Sequence, residues 1–289
     1  MPQEISEAYI VRRPPRQTAS VVFASPHSGT VYPEDLLARS LLDRRQIRSS
    51  EDAFVDRLFD MAPDHGAPLL SARAPRAYLD LNRAVDELDP ALIEGIERAP
   101  HNPRISSGLG VIPRVVAGGR AIYSGKLARA EAEERIRRFW HPYHGALRQL
   151  IEETREAFGI ALLVDCHSMP HEAIGFQSRS GGQMPDIVLG DRFGAAARGD
   201  IVDRVEAAFA ATGLKVGRNA PFAGAYITQA YGRPSRGVHV VQVEIDRSLY
   251  MDETRIEPRP DFEDFRRLMA GAVGRIADSM PEERPLAAE

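Results

Sequence analysis

The chain has 289 residues, 43% of them hydrophobic and 27% charged, and its 37 Lys and Arg against 41 Asp and Glu give a net charge of −4. This composition excludes extended disorder, and the lack of a basic excess argues against nucleic acid as a partner. With one cysteine, Cys166, and no apolar run of about 20 residues, we expect a cytoplasmic protein without disulfides or a membrane span.

The first half of the chain is predicted to hold two strands and two helices. Residues 19–24 (ASVVFA) are β-branched and apolar and predict a buried strand that leads into a turn. Residues 51–61 carry apolar side chains at helical spacing after two acidic residues, which predicts an amphipathic helix. Residues 76–83 predict another strand. The longest predicted helix covers residues 126–158, with a break or kink at Pro142 because proline lacks a backbone N–H.

The second half alternates strand and helix again. Residues 160–164 (IALLV) predict a buried strand, and residues 195–212 predict a helix that ends at Gly213. Residues 238–245 alternate like a strand, and residues 261–279 have the spacing of a final amphipathic helix. Because helices separate most of the strands, we predict an α/β fold with a mainly parallel sheet. Ligands of such sheets bind at the carboxyl ends of the strands.

Polar residues of the kinds that act in enzymes occur at the ends of several predicted strands. They are His27, Asn82, Arg83, Asp165, His167 and Glu244. Two histidines after two strands, with an acidic residue from elsewhere, match the three-ligand site of a catalytic zinc ion. A separate carboxylate must then move protons, and Asp52 and Glu244 are available for these two roles. The spacing therefore predicts a metallohydrolase.

Nucleophilic serine or cysteine chemistry is a weaker interpretation of the same strand ends. Ser28 and Ser168 lie outside any G-x-S-x-G motif and are expected to hydrogen-bond neighbouring loops. Cys166 precedes His167, and adjacent strand residues point to opposite faces, so Cys166 is expected to be a buried small hydrophobe. Most of the other histidines are expected not to bind metal.

Nine segments form an ordered set along the chain. They are SPHSG (25–29), EDAFVD (51–56), YLDLNR (78–83), GLGVIP (108–113), HPYH (141–144), DCHSMP (165–170), DIVLGDRFG (186–194), APFAGAYITQAYGRP (220–234) and GVHVVQVEIDRSLYMDE (237–253). Through them the chain resembles the N-formylglutamate amidohydrolases (N-formylglutamate deformylases), enzymes of histidine breakdown, over residues 20–275. The resemblance implies a zinc-carboxypeptidase-like (phosphorylase/hydrolase-like) fold, a three-layer sandwich with a central mixed, mainly parallel sheet.

The resemblance also implies a single zinc ion and its ligands. His27 of SPHSG and His167 of DCHSMP are similar to the two imidazole ligands of the family. Zinc carboxypeptidases place a glutamate three residues after the first histidine, whereas Thr30 occupies that position here and cannot bind the ion. The third ligand must come from elsewhere, and we choose Asp52.

The segment EDAFVD leaves other points open. Glu51 and Asp56 are the alternatives to Asp52 as the third ligand. Ala53 stands where family members carry an aromatic residue. The smaller alanine is expected to widen the pocket or alter the choice of substrate. The ion could be another divalent metal, because imidazole and carboxylate ligands suit several.

The remaining site residues are also implied by the resemblance. Asn82 and Arg83 match an Asn-Arg pair that binds a substrate carboxylate in the related aspartoacylases, and a guanidinium suits that task. Glu244 matches the carboxypeptidase general base by its place on a late strand. Tyr226 is expected to act as an oxyanion donor or lid, with a packed ring as the alternative. Arg247 is expected to contact a second carboxylate.

The implied function is removal of the formyl group of N-formyl-L-glutamate by a water that the metal and Glu244 activate. Alternatives are hydrolysis of another N-acyl acidic amino acid, and a metal-free binding protein of the same fold. The expected partner is a small N-acyl amino acid, without nucleic acid or membrane, and the oligomeric state stays open. We expect an N-terminal arm over residues 1–18, a single catalytic α/β domain over 19–280 and a flexible tail over 281–289.

Overall fold

Strands and helices alternate along much of the chain. The computed structural model describes residues 7–97, 102–175 and 184–280. The strands are β1 (Tyr9–Arg12), β2 (Val21–Ser25), β3 (Leu69–Ala72), β4 (Val115–Val116), β5 (Arg120–Ala121), β6 (Ala161–Met169), β7 (Ile187–Gly190), β8 (Val216–Arg218), β9 (Val238–Asp246), β10 (Met251–Asp252) and β11 (Glu257–Pro258). The helices are α1 (Glu34–Arg39), α2 (Val55–Leu58), α3 (Pro103–Ser106), α4 (Arg129–Arg135), α5 (His141–Phe158), α6 (His171–Gly175), α7 (Gly199–Ala210), α8 (Tyr226–Tyr231) and α9 (Phe262–Ser279). Short 3₁₀ turns connect some of these elements, and a π turn, Ile136–Trp140, lies between α4 and α5.

Seven strands form one sheet with the order β1-β3-β2-β6-β9-β7-β8. β2 pairs with β6, β6 with β9 and β7 with β8 in parallel, whereas β7 runs antiparallel to β9. The predicted α/β class with a mixed, mainly parallel sheet is confirmed. Four predicted elements match elements of the structure: residues 19–24 match β2, 195–212 match α7, 238–245 match β9 and 261–279 match α9.

β6 and β9 are the strands that carry most of the candidate site residues. Every residue of β6 is buried, as is all of β9 after its first residue. Strands inside a parallel sheet need apolar side chains on both faces, which the two sequences supply over most of their length. β6 extends beyond the predicted residues 160–164, so His167 lies inside the strand, in register with Glu244 of β9. The prediction ended too early because polar residues interrupt the apolar run, whereas backbone pairing with β9 continues.

Two predicted elements differ from the structure. Residues 51–61 contain only the short helix α2, because Phe54 has a left-handed backbone (φ 66°) that an α-helix cannot include. Residues 76–83 form turns instead of a strand, and the backbone N–H of Tyr78 donates to the carbonyl of Pro75. The alternation of apolar residues in this segment therefore reflects burial without strand pairing.

The helix predicted over residues 126–158 is present as α4, the π turn and α5, and Pro142 does not break it. Proline lacks a backbone N–H, and in a regular α-helix its ring crowds the carbonyl four residues earlier. The π turn ends two residues before Pro142 and is closed by a hydrogen bond from the N–H of His141 to the carbonyl of Ile136. This wider turn accommodates the proline without ending the helix.

The chain packs as two compact units. The described residues of the first lie within Met1–Ile10, Pro26–Ala53 and Ser71–Ala146, and those of the second lie within Val11–Ser25, Phe54–Leu70 and Leu147–Glu289. The first unit includes α1, α3 and α4, and the second includes β2, β6 and β9 together with α7 and α9. In the segment predicted as an N-terminal arm, β1 is an edge strand of the sheet. The predicted tail over 281–289 lies outside the described residues.

Of the helices within residues 7–97, 102–175 and 184–280, none combines enough length with enough apolar character to span a lipid bilayer. The longest helices, α5 and α9, are amphipathic, with buried apolar residues along one side and charged residues along the other.

Candidate active site

Three buried side chains come together as a candidate metal centre. His27 follows β2, Asp52 lies shortly before α2 and His167 lies in β6. Each offers one ligand atom, and these atoms lie within 4.8 Å of one another. Nδ1 of His27 is 3.3 Å from Oδ2 of Asp52. Two imidazoles and one carboxylate form a donor set of catalytic zinc sites, so the structure brings the three predicted ligands together.

Asp80 binds the other ring nitrogen of His27. Nε2 of His27 is 2.7 Å from Oδ1 of Asp80, which also accepts the backbone N–H of Asn82 at 2.8 Å. Oδ2 of Asp80 accepts a hydrogen bond from Nε of Arg76 at 3.0 Å. Burial alone would raise the pKa of Asp80, but the charge of Arg76 and the hydrogen bond with His27 hold that pKa well below its usual range. An ionised Asp80 favours the proton on Nε2, which leaves Nδ1 of His27 toward Asp52 as the ligand atom.

A polar patch on β6 and β9 surrounds the second imidazole. Asp165 and His167 are two residues apart in β6 and pair in register with Gln242 and Glu244 of β9. Residues two apart in one strand, and residues in register on adjacent strands, have their side chains on the same sheet face. Nε2 of His167 lies 3.1 Å from Oδ2 of Asp165, so a buried carboxylate is near this imidazole as well. Glu244 therefore lies beside a metal ligand candidate on the same face.

Gln242 connects Glu244 to the loop that precedes α8. Its Nε2 donates to Oε1 of Glu244 at 2.8 Å, and its Oε1 accepts the backbone N–H of Ala225 at 3.1 Å. The loop can approach this closely because β7 ends in Gly190, where a Cβ would lie only 2.7 Å from the loop backbone. Gln242 thus fixes the carboxylate of Glu244. Tyr226, the first residue of α8, directly follows the anchored Ala225.

The two alternative third ligands have other environments. Both carboxylate oxygens of Glu51 accept hydrogen bonds from Nε of Arg48 at 3.1 Å, and Glu51 also accepts one from the hydroxyl of Tyr32. Burial and the charge of Glu51 raise the pKa of Tyr32, so its hydroxyl stays a donor. Asp56 lies in α2, and burial raises the pKa of its carboxyl, which disfavours the charged form that a metal needs. Asp52 is the carboxylate of this segment that joins the histidines.

Asn82 and Arg83 are the last two residues of a segment of turns, residues 78–83, which we call the turn segment. Nε of Arg83 donates to the carbonyl of Leu109 at 2.9 Å, and Nη1 donates to the carbonyl of Asn82 at 2.8 Å. These bonds use two of the five N–H groups of a guanidinium. Burial lowers the pKa of Arg83, Asp80 opposes this effect and two nearby arginines add to it. A buried cation in such surroundings favours an anionic ligand.

Arg247 and Cys166 are buried residues that lie close to the polar patch in sequence. Arg247 directly follows β9, is buried, and donates from Nε to Oγ of Ser168 at 3.1 Å. Sγ of Cys166 donates to the carbonyl of Val164, and burial, with the charge of Asp165, raises the pKa of this thiol. Cys166 is therefore a buried, protonated thiol, as the sequence predicts. Ser168 acts as a hydrogen-bond partner of Arg247.

Asp80 and Gln242 contact candidate site residues but are not among the residues predicted from the sequence. Each stands two residues before a predicted site residue, Asp80 before Asn82 and Gln242 before Glu244. For Gln242, strand alternation was a usable signal, because it places both side chains on one face. For Asp80, no local signal exists, because its partner His27 is 53 residues away.

Comparisons with known proteins cover almost the whole chain. The family model described as N-formylglutamate amidohydrolase matches residues 19–251. The chain is 32% identical over 241 residues to an N-formylglutamate deformylase of Pseudomonas putida, which covers 81% of this chain and 82% of the relative. An N-formylglutamate deformylase of Pseudomonas aeruginosa is 32% identical over 244 residues, or 82% of this chain and 84% of the relative.

A solved structure is similar over the same length. The crystal structure of an N-formylglutamate amidohydrolase from Ralstonia eutropha JMP134 superposes with a TM-score of 0.87 and 35% identity, covering 94% of this chain and 98% of that chain. The family match includes all three candidate metal ligands, the turn segment with Arg83, and the polar patch with Glu244. The chain therefore belongs to the N-formylglutamate amidohydrolase family.

Proposed function

We propose that the protein is a metal-dependent hydrolase that converts N-formyl-L-glutamate and water to formate and L-glutamate. The observation that carries this proposal is the buried cluster of His27, Asp52 and His167, in which each imidazole has a carboxylate at Nε2. The substrate is taken from the relatives, two of which are named for the deformylation of N-formylglutamate.

The ligand set fits a divalent ion that accepts nitrogen and oxygen donors, and zinc is the first choice. His27 would bind through Nδ1, because its Nε2 is hydrogen-bonded to Asp80. When bound, such an ion supplies a Lewis acid for the formyl carbonyl and lowers the pKa of water to about 7. Three protein ligands are the number that catalytic zinc sites use.

Glu244 is the proposed general base. Its position is supported by the register with His167 and by the hydrogen bond from Gln242 to its Oε1. In the proposed reaction Glu244 takes a proton from the attacking water, whose oxygen forms the new bond to the formyl carbon. Glu244 then passes this proton to the nitrogen as the C–N bond breaks, so that the amine of L-glutamate leaves as a neutral group.

The two carboxylates of the substrate are the proposed partners of the arginines. Arg83, with Asn82, would bind one carboxylate through paired charge-assisted hydrogen bonds, which its burial and its remaining N–H groups support. Arg247 would contact the second carboxylate, supported by its burial directly after β9, the strand that carries Glu244. Tyr226 would donate to the developing oxyanion from the anchored start of α8.

The test of the function is a hydrolysis assay over N-formyl, N-acetyl and N-succinyl derivatives of Glu, Asp and Gln. N-formyl-L-glutamate is expected to have the highest kcat/KM, turnover is expected to stop after chelation, and added zinc is expected to restore it. A higher kcat/KM for an acetyl or succinyl compound would assign the protein to another N-acyl amino acid. The absence of both turnover and bound metal would favour a metal-free binding protein.

The proposed metal-binding role of Asp52 and the proposed general-base role of Glu244 are tested by three substitutions. Each changes only a carboxylate into an amide. Asp52→Asn is expected to lose metal, and Glu244→Gln is expected to keep metal but lower kcat by about 10²–10⁴. Glu51→Gln is the matched control for Asp52, because Glu51 is an equally buried neighbour whose bonds go to Arg48 and Tyr32. Full metal retention by Asp52→Asn, or an unchanged kcat in Glu244→Gln, would remove that residue from its role.

A further inference from the structure

The turn segment 78–83, which carries Asn82 and Arg83, is held by side chains of one helical stretch, α4 to α5. Three donors of this stretch bond to three backbone carbonyls of the segment. The pairs are Arg135 Nη1 to Tyr78 at 3.2 Å, His144 Nε2 to Leu81 at 2.9 Å and Trp140 Nε1 to Arg83 at 3.0 Å. A carbonyl only accepts hydrogen bonds, so Nε2 of His144 carries the proton.

The π turn, Ile136–Trp140, brings the three donors to one side of the helical stretch. Arg135 and Trp140 are five residues apart, which in a regular α-helix would separate them by roughly 140° around the axis. A π turn closes hydrogen bonds between residues five apart and therefore aligns them. Trp140 and His144 are four apart and align by ordinary helical spacing. Pro142, which has no backbone N–H to donate, lies two residues after this turn.

Trp140 and His144 form a buried pair at the end of the segment that carries Arg83. Their ring centroids are 4.0 Å apart with an interplanar angle of 33°. Both side chains are buried, so releasing the segment would leave two N–H donors unsatisfied in the interior. Arg135 holds the other end, with its guanidinium carbon 4.0 Å from the centroid of the Tyr78 ring.

We propose that Trp140 and His144 are positioning residues for the substrate carboxylate. They bond the carbonyls on either side of Asn82, at Leu81 and Arg83, and so determine where the guanidinium of Arg83 lies. A guanidinium binds a carboxylate through two parallel bonds of narrow geometry, so a small shift of the backbone weakens binding. The inference rests on the proposed function, in which Arg83 and Asn82 bind a carboxylate of the substrate.

Steady-state kinetics at saturating metal tests this positioning role. His144→Phe removes the donor but keeps an aromatic ring against Trp140, and Trp140→Phe removes the indole N–H. Each is expected to raise KM for N-formyl-L-glutamate about tenfold while kcat changes by less than about twofold, and the Kd of L-glutamate is expected to rise with KM. An unchanged KM in both variants overturns the proposal, and if His144→Phe does not fold, Trp140→Phe decides.

A matched control is available one turn along the same helix. His141 is an exposed residue that borders the Trp140 ring, with ring centroids 5.2 Å apart. His141→Phe makes the same chemical change as His144→Phe without removing a bond to the turn segment, and it is expected to leave KM unchanged. A KM as high in His141→Phe as in His144→Phe overturns the positioning role.

A double-mutant cycle with Arg83→Ala separates this inference from the proposed function. Arg83→Ala alone is expected to raise KM, and an unchanged KM overturns the proposed carboxylate site itself. In the Arg83→Ala background, His144→Phe is expected to change KM by less than about twofold, because it acts through Arg83. If His144→Phe raises KM by the same factor in the Arg83→Ala background as in the wild-type protein, the positioning role is overturned and the proposed function stands.

Discussion

Asp80 accepts hydrogen bonds from Nε2 of His27, from the backbone N–H of Asn82 and from Nε of Arg76. Only the bond to His27 bears on the candidate metal centre, because it favours Nδ1 as the nitrogen that faces Asp52 and would make the imidazole a stronger ligand. Asp80→Asn keeps the size of the side chain but removes its charge. We expect it to weaken zinc binding roughly 10–100-fold, measured by competition with a chelator at fixed pH.

Asp89 offers a matched control for this substitution. It is equally buried and accepts hydrogen bonds from Nε of Arg114 at 2.8 Å and from the backbone N–H of Ala91 at 2.8 Å. Asp89→Asn therefore removes the same charge and a similar arginine partner, but it does not alter a bond to His27. If both variants lose zinc affinity equally, the effect of Asp80 comes from general destabilisation and its orienting role is wrong.

The candidate ligands could be predicted from the sequence, whereas the residues that orient them were harder to find. His27 follows an apolar strand and His167 follows the apolar run of another, which local patterns reveal. Asp165 lies two residues before His167, so strand alternation was enough to place it on the same face. Asp80 contacts His27 across 53 residues, and only the folded chain establishes that contact.

An ion pair joins the helix α6 to the end of the strand β9. Nδ1 of His171, the first residue of α6, is 2.7 Å from Oδ2 of Asp246, the last residue of β9. The hydrogen bond and the charge of Asp246 raise the pKa of His171 from its usual value. The pair therefore stabilises the fold below the unfolded pKa of about 6.5, and this contribution is lost as the pH rises through the folded pKa.

An NMR titration of the His171 ring tests this assignment. We expect a pKa above about 6.5 in the wild-type protein and a value closer to 6.5 in Asp246→Asn. The asparagine keeps an oxygen that can accept the backbone N–H of Ser248, so the turn after β9 is retained. Glu253 accepts the backbone N–H of His171 and raises the pKa of His171 less than Asp246 does. Glu253→Gln is therefore the control, and it is expected to lower the pKa of His171 less than Asp246→Asn does. An unchanged pKa in Asp246→Asn would contradict the assignment.

Elements with a strong hydrophobic period were predicted, whereas elements determined by side-chain hydrogen bonds were not. α9 and β9 follow their periods of 3.6 and 2 and lie close to the predicted bounds. The segment over residues 76–83 alternates like a strand, but Trp140 and His144 bond to its carbonyls and leave them unavailable for strand pairing. No periodicity in the segment itself could reveal donors that come from a helix about 60 residues later.

Metal binding is expected to stabilise the whole molecule. The candidate ligands at positions 27, 52 and 167 are far apart in sequence, and only the folded chain brings their atoms within 4.8 Å of one another. An ion that binds only the folded state, present at a concentration 100 times its Kd, adds about 2.7 kcal/mol to the free energy of unfolding. We therefore expect Tm, measured by calorimetry, to rise by several degrees with added zinc and to fall after chelation.

The decisive comparison is the difference in Tm between the metal-loaded and the chelated form of each variant. A substitution changes stability for reasons unrelated to metal, and this difference removes that contribution. Asp52→Asn is expected to lose most of the metal-dependent rise, while Glu51→Gln keeps it, because only Asp52 contributes an atom to the cluster. An equal rise in Asp52→Asn would mean that zinc stabilises the fold from another position, since removing a ligand must weaken binding at its own centre.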